Sequence, residues 1–321
     1  MTTRFDINKD AFNYSHLTEP IPVTEQVWPD DILPVVCTQT MTYNHENYIK
    51  DCIEGILMQH TTFPVKIFIH DDASTDRTTE IIKEYISRYP QLITLFEQPE
   101  NCYSKPNKYE LRQPFYNLLN GKYIAICEGD DYWTDSLKLQ KQVEFLEKNI
   151  DYVLCYQNWV ELNDGNYNVP RVVFPSTHTR LFRNIELDYP KLERPILNGD
   201  ALLQFLLQRK GKFKNISNLK PAVKRRDSGG VWNSLIRKKQ IENRLETSEV
   251  VLKSLILDDR FKSDDLSYWK YRMVKDLKIA FWGNYIPKRK ILTYFFRYSL
   301  GRELFRFFVD RFGNYLGNPS K

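Results

Sequence analysis

Lys122-Tyr123-Ile124-Ala125-Ile126-Cys127 runs straight into Glu128-Gly129-Asp130-Asp131-Tyr132-Trp133. An apolar run closed by three carboxylates decides how this chain folds. The run is short, rich in β-branched and aromatic residues, and ended by turn formers, so it reads as a buried strand. The same arrangement occurs upstream, where Val65-Lys66-Ile67-Phe68-Ile69-His70 leads into Asp71-Asp72-Ala73-Ser74-Thr75-Asp76. Each run is followed by a helical pattern, which predicts parallel strands joined by crossovers. Parallel strands open their carboxyl ends on one edge of the sheet, where open α/β sheets bind ligands. Two acidic clusters on that edge repel each other unless a cation lies between them. A divalent metal holding a phosphate ligand is the simplest reading, since hard cations prefer oxygen donors. Gly129 would let the backbone approach such a ligand closely.

Working outward, residues 1–33 read as an irregular lead-in and 34–41 as the first strand, closed by Thr42-Tyr43-Asn44-His45. Tyr48, Ile49, Cys52, Ile53, Ile56 and Leu57 share one face of a helix. The second strand ends at Asp71, and its helix stops before Pro90. A short strand over 92–96 precedes a polar, Pro-containing loop at 98–112, and 115–119 is a short helix. Residues 137–148 form an amphipathic helix and 152–156 a strand. The stretch 158–195 is irregular, with strand-like patches at 171–174 and 178–182. Asp200 opens a helix that stops near Gly211, Gly229-Gly230 marks a loop, and the pattern from Leu235 onward is helical and basic.

At 321 residues and 42% hydrophobic, the chain can bury one large core, or a core with a smaller lobe. A net charge of +5 is too mild to indicate nucleic acid. The cysteines Cys37, Cys52, Cys102, Cys127 and Cys155 form no C-x-x-C pair, and an odd count argues against a disulfide framework. They read as reduced core residues. No apolar stretch approaches the ~20 residues of a spanning helix, and the first sixteen residues lack a signal-peptide core, which predicts a cytoplasmic protein. The histidines are scattered singly and read as structural or exposed.

Asp71, Asp72 and Asp76 could simply cap a helix; their place at a strand end favours a site. Asp200 suits a first-turn acid stabilised by the helix dipole, or a general base if it faces the acidic edge. Lys224-Arg225-Arg226-Asp227, next to Ser228-Gly229-Gly230, mixes phosphate-binding charge with a flexible loop. There is no G-x-G-x-x-G, Walker lysine loop, H-E-x-x-H or G-x-S-x-G.

Thr42-Tyr43-Asn44-His45-Glu46, Asp71-Asp72-Ala73-Ser74-Thr75-Asp76 and Glu128-Gly129-Asp130-Asp131-Tyr132-Trp133, in that order, resemble an inverting family 2 glycosyltransferase of the surface-polysaccharide type. The match is specific over 34–146 and looser to Trp232. The resemblance implies a GT-A (Rossmann-like) α/β fold: a mostly parallel sheet flanked by helices, with a helical C-terminal extension. It divides the chain into a lead-in at 1–33, a catalytic domain at 34–234 and a basic-aromatic helical region at 235–321. By the same resemblance Tyr43 packs on the nucleotide base, Asp72 hydrogen-bonds it, and Glu46 belongs to the donor-binding motif. Asp130 touches ribose and metal, Asp131 binds the metal beside the donor diphosphate, Arg225 neutralises it, and Asp200 is the catalytic base.

The expected cofactor is manganese or magnesium, and the expected donor a nucleotide diphosphate sugar, UDP-linked in the first instance. The acceptor would be a glycan or lipid-linked glycan. The segment 222–232 departs from the family's Tyr-Arg-x-His, with Lys224 in place of the Tyr and Asp227 in place of the His. Asp227 can serve as a metal ligand or stand by. Two rival readings are a nucleotide-binding module without catalysis, which the altered Asp227 favours, and a nucleotidyltransferase. The latter commonly carries a Gly-rich basic loop after its first strand, which Tyr43-Asn44-His45-Glu46-Asn47 does not offer. The basic-aromatic tail from Lys288 suits either an anionic membrane surface, at the inner face of the membrane, or packing on the rest of the protein with its arginines outward.

Overall fold

A computed structural model describes residues 17–29, 31–170, 174–226 and 235–301. The chain divides into two compact units, residues 1–187 with 206–230, and residues 188–205 with 231–321.

The first unit is built on a seven-stranded sheet. Its strands are β2 (Val36–Thr42), β4 (Val65–Asp71), β5 (Ile93–Glu97), β6 (Tyr123–Ile126), β7 (Tyr152–Tyr156), β10 (Leu181–Arg183) and β11 (Lys212–Asn215), in the spatial order β11-β7-β10-β6-β2-β4-β5. Only β10 runs against the rest, pairing antiparallel with both β6 and β7. β2 pairs in parallel with β4 on one side and with β6 on the other. The chain winds outward from β2 through β4 to β5, then returns to the opposite flank at β6. This reversal leaves a crevice beyond the carboxyl ends of β2 and β6.

Burial on both faces explains the near-continuous apolar strands. Ile67, Ile69, Tyr123 and Ala125 are sealed from solvent. The crossover helices α1 (Ile49–Leu57), α2 (Thr78–Arg88), α3 (Lys108–Tyr116) and α4 (Lys138–Lys148) present Ile53, Ile56, Ile82, Leu139, Val143 and Leu146 to that core or its margins. The described part of the lead-in begins at Leu17. β1 (Ile21–Pro22) pairs with β3 (His60–Thr61), and Val23 enters the core. All five cysteines are buried and free.

Where the sequence suggested an irregular stretch after position 158, a second small sheet forms. Trp159–Asn163 (β8) turns back on Asn166–Asn168 (β9), and Ala222–Arg225 (β12) joins β8 in parallel. Asp164 and Gly165 both take left-handed backbone angles, φ 48° and 77°, the geometry of a tight hairpin. The strand-like patch at 171–174 falls largely on 171–173, outside the described residues, and Phe174 is not in a strand. The 178–182 patch becomes a 3-10 turn (Thr177–Thr179) followed by β10.

The second unit is helical. Helix α5 (Gly199–Lys210) begins in it, and Arg237–Ile256, Ser263–Trp282 and Lys288–Arg297 follow. Phe205 stacks on Tyr268 at 5.1 Å and meets Trp269 edge-on at 5.7 Å. Arg194 pairs with Glu246 at 2.5 Å. These contacts tie residues 188–205 to the C-terminal helices. Among the described residues no helix is long and apolar enough to cross a membrane.

Candidate active site

The ends of β2, β4 and β6 meet on one edge, where the first two acidic motifs are laced together. Asn44 and Ala73 adopt left-handed backbone, φ 53° and 62°, which turns both loops sharply at the strand ends. The Asn44 amide donates to Ser74 Oγ (2.9 Å), while its side-chain Oδ1 accepts from the Thr75 amide (2.8 Å). Asp76 accepts from the amides of Glu46 (3.0 Å) and Thr78 (2.9 Å). Glu46 accepts from the Arg77 amide at 3.0 Å. Glu46 and Asp76 therefore act as braces at the start of α2, where unpaired amides favour carboxylates. Asp71 is spent in the same way, on Ser74 and Thr79.

Asp72 is different. Its amide donates to Thr42 O (3.0 Å), which fixes it beside β2. One carboxylate oxygen accepts from the Cys102 amide (2.9 Å), and the other from Arg112 (3.0 Å). Burial works against its charge, but these donors win and lower the carboxyl below its usual range. The region expected as a polar loop at 98–112 thus delivers both partners of Asp72, and from Lys108 it is helical. Tyr43, at the end of β2, is half exposed.

The third motif is tied to the other flank of β2 by the Gly129 amide, which donates to Met41 O at 3.0 Å. A β-carbon on Gly129 would stand 2.8 Å from both His45 Nδ1 and Thr42 Oγ1. Glycine is required here by the approach of protein to protein. Glu128 and Asp130 are partly exposed, whereas Asp131 is buried. Asp131 Oδ1 accepts from the Arg225 amide (2.9 Å), and Oδ2 lies 3.1 Å from His178 Nδ1. Arg225 donates to the Asp130 carbonyl (3.1 Å), pairs with Asp51, and lies between the rings of Tyr48 and Tyr132, 5.3 and 4.6 Å from their centroids. It braces the motif from behind.

His178 was not singled out by sequence. It is sealed from solvent, and its Nε2 finds no hydrogen-bond partner among the described residues. Burial, then the charges of Lys224, Lys138 and Arg180, push its pKa well below the usual value. A neutral imidazole can share one proton between Nδ1 and Asp131 Oδ2, and Ser176 Oγ lies 3.3 Å from the same nitrogen. Burial and the Asp130 charge raise the Asp131 carboxyl well above its usual range, Lys224 opposes them, and Glu128 adds to the rise. Burial also works against the Lys224 ammonium, but Glu128, Asp131 and Asp130 outweigh it and hold its pKa up.

Ligand atoms of Glu128, Asp131 and His178 all lie within 4.8 Å of one another. Carboxylate oxygens suit manganese or magnesium; Asp131 and His178 are turned on each other, so the partly exposed carboxylates Glu128 and Asp130 are the pair at this edge whose chemistry fits such an ion. A second cluster, His70, Asp72 and Cys102, already has the Arg112 guanidinium against both Asp72 and Cys102 Sγ (3.2 Å). That charge stands where a metal would have to sit. Asp200 lies in the first turn of α5, exposed and in the second unit. Asp227 lies outside the described residues.

Residues 40–205, just over half of the chain, match the family model described as Glycosyl transferase family 2. The chain belongs to glycosyl transferase family 2. An uncharacterized protein of Mycobacterium tuberculosis is 43% identical over 117 residues, covering 36% of this chain and 33% of its own length. A putative teichuronic acid biosynthesis glycosyltransferase of Bacillus subtilis, TuaG, is 32% identical over 116 residues, or 35% of this chain and 42% of its own. This family 2 chain therefore matches between a third and about two fifths of the length of these curated relatives. Its fold is similar to that of Staphylococcus aureus TarS residues 1–349, with a TM-score of 0.54 and 15% identity over 77% of this chain and 72% of the other. The likeness supports the α/β GT-A architecture.

Proposed function

We propose that this chain moves a sugar from a nucleoside diphosphate sugar to an acceptor hydroxyl, inverting the anomeric centre, in the assembly of a surface polysaccharide. The carrying observation is that Asp72 and the Glu128–Asp131 motif are both tied to the end of β2, one on each flank, at the reversal of strand order. A ligand spanning that edge meets a base-reading carboxylate and a phosphate-side carboxylate cluster at once.

Asp72 is kept ionised and accepts hydrogen bonds, while Arg112 beside it donates. An acceptor next to a donor complements the N–H and C=O edge of uracil, so a UDP-sugar is the proposed donor, with Tyr43 packing on the base. TarS, similar in fold, was crystallised with UDP-GlcNAc, and the name of TuaG refers to teichuronic acid biosynthesis.

On the phosphate side Glu128 and Asp130, the two partly exposed acids, would hold a manganese or magnesium ion. Asp131, whose oxygens already engage the Arg225 amide and His178, steadies them from within. When bound, the ion supplies positive charge to the departing diphosphate. Arg225 fixes the backbone of the acidic motif through the Asp130 carbonyl. Asp200 takes the acceptor proton, a role that contributes about 10²–10⁴-fold to the rate.

Slow hydrolysis and transfer with candidate UDP-sugars test this reading. The wild type should release free sugar in the presence of manganese, and Asp200→Asn should lose transfer while still binding UDP. A wild type that binds UDP without ever cleaving a UDP-sugar would be a binding module, and the proposal would fail.

A further inference from the structure

Residues 277–301 contain no aspartate or glutamate but carry Lys278, Lys288, Arg289, Lys290 and Arg297. Within this stretch the helix Lys288–Arg297 is amphipathic in an unusual sense. Its inner face buries Ile291 and Tyr294, and Tyr294 and the following Tyr298 both donate to Glu249, at 3.1 and 3.3 Å. Those contacts fix the helix on the unit and decide which side remains outside. The outer side is not polar. Leu292 and Phe296, one turn apart, are 57% and 82% exposed. Trp282, at the end of the preceding helix, is 78% exposed, and its neighbour Phe281 lies 5.6 Å beneath the Lys288 ammonium. Lys288, Arg289 and Lys290 are themselves exposed.

Arg297 pairs with Glu249 at 3.2 Å. Single exposed apolar residues are ordinary, but exposed aromatic side chains grouped with the three exposed cations at 288–290 are not. We propose that the face formed by Trp282, Leu292, Phe296 and the cations Lys288–Lys290 docks on an anionic lipid surface. The chemistry matches both layers of such a surface. Tryptophan and phenylalanine enter the boundary between headgroup and acyl chain, and the lysines and arginine remain at the phosphates. Each cation near such a surface contributes roughly 1 kcal/mol, about fivefold in affinity. A second copy of the chain is a poorer occupant, because a self-complementary contact would set these cations against their own copies. The inference is independent of the sugar-transfer reading, since its readout is membrane binding alone.

The test is co-sedimentation of the full chain with vesicles of phosphatidylcholine alone and of phosphatidylcholine mixed with phosphatidylglycerol. The wild type should pellet with the mixed vesicles at low salt, weaken as salt rises, and stay in solution with phosphatidylcholine. Trp282→Ser with Phe296→Ser should abolish pelleting without moving the thermal midpoint, since both side chains are exposed. Lys288→Glu with Lys290→Glu should cut binding by at least roughly 25-fold. Brominated lipid should quench wild-type tryptophan fluorescence and quench a Trp282→Phe variant much less. Failure of the wild type to pellet, equal pelleting of the serine variant, or indifference to phosphatidylglycerol would overturn the proposal. So would lipid-free self-association that the serine substitutions abolish, which would make the face a contact between copies.

Discussion

Asp131 Oδ2 lies 3.1 Å from His178 Nδ1, and neither side chain reaches solvent. The pair joins the acidic motif after β6 to the turn that leads into β10, the one antiparallel strand of the main sheet. A carboxylate in this position is a scaffold for its neighbours: the Arg225 amide takes its other oxygen, so one side chain holds three chain segments together.

Removing the imidazole should therefore cost stability. His178→Ala leaves a buried carboxyl group without its hydrogen-bond partner, a loss of about 1–3 kcal/mol. Urea denaturation would measure it, and His178→Asn should recover part of the loss by restoring a partner. UDP affinity in the presence of manganese should fall with the alanine variant, because Glu128 and Asp130 lose their support. A variant as stable as wild type would show that the pair does not hold the motif.

Lys224 lies in β12, and its ammonium lies in the field of Glu128, Asp131 and Asp130. A resident cation competes with an incoming one. Lys224→Met should raise the affinity for manganese without nucleotide by at least roughly tenfold, the equivalent of about 1.4 kcal/mol. Calorimetric titration of manganese into the two proteins would show the difference. Unchanged or weaker binding in the variant would mean that Lys224 does not act on the cluster.

His70 gives a pH prediction. Its ring is buried between Phe96 and Phe115, at 5.7 and 5.1 Å, and neither nitrogen has a hydrogen-bond partner among the described residues. Burial, with Arg112 adding to it, lowers its pKa to about 4, against roughly 6.5 in the unfolded chain. Between those values the unfolded chain takes up a proton that the folded one refuses. Stability from this group is complete above about pH 6.5 and drains away as pH falls toward 4, by up to about 3 kcal/mol. His70→Phe should keep the aromatic packing and flatten that part of the stability curve. Parallel curves for the two proteins would contradict the assignment.

The fold was legible where one residue pattern dominates. The strands Val65–Asp71 and Tyr152–Tyr156 announce themselves because burial on both faces demands unbroken apolar runs. The β8–β9 hairpin was missed because its residues (Trp159–Asn163, Asn166–Asn168) alternate weakly, although Asp164-Gly165 between them is a strong turn signal. Helix α3 was hidden by Pro114 within it and by a polar first turn.

The acidic motifs showed in the sequence; the depth at which each acid sits did not. Nothing local distinguishes Asp130 from Asp131, and His178 meets Asp131 only through the antiparallel insertion of β10. Arg112 likewise reaches Asp72 across forty positions. Gly129 suggested close approach to a ligand, and the crowding it relieves comes from Thr42 and His45.

The account rests on Glu128 and Asp130 carrying the metal-dependent part of donor binding, and calorimetric titration of UDP with and without manganese tests that most directly. Wild type should bind UDP far more tightly with manganese than without, and Asp130→Asn should lose that difference while Asp200→Asn keeps it. An Asp130→Asn protein that binds UDP with the full manganese dependence of wild type would contradict the account.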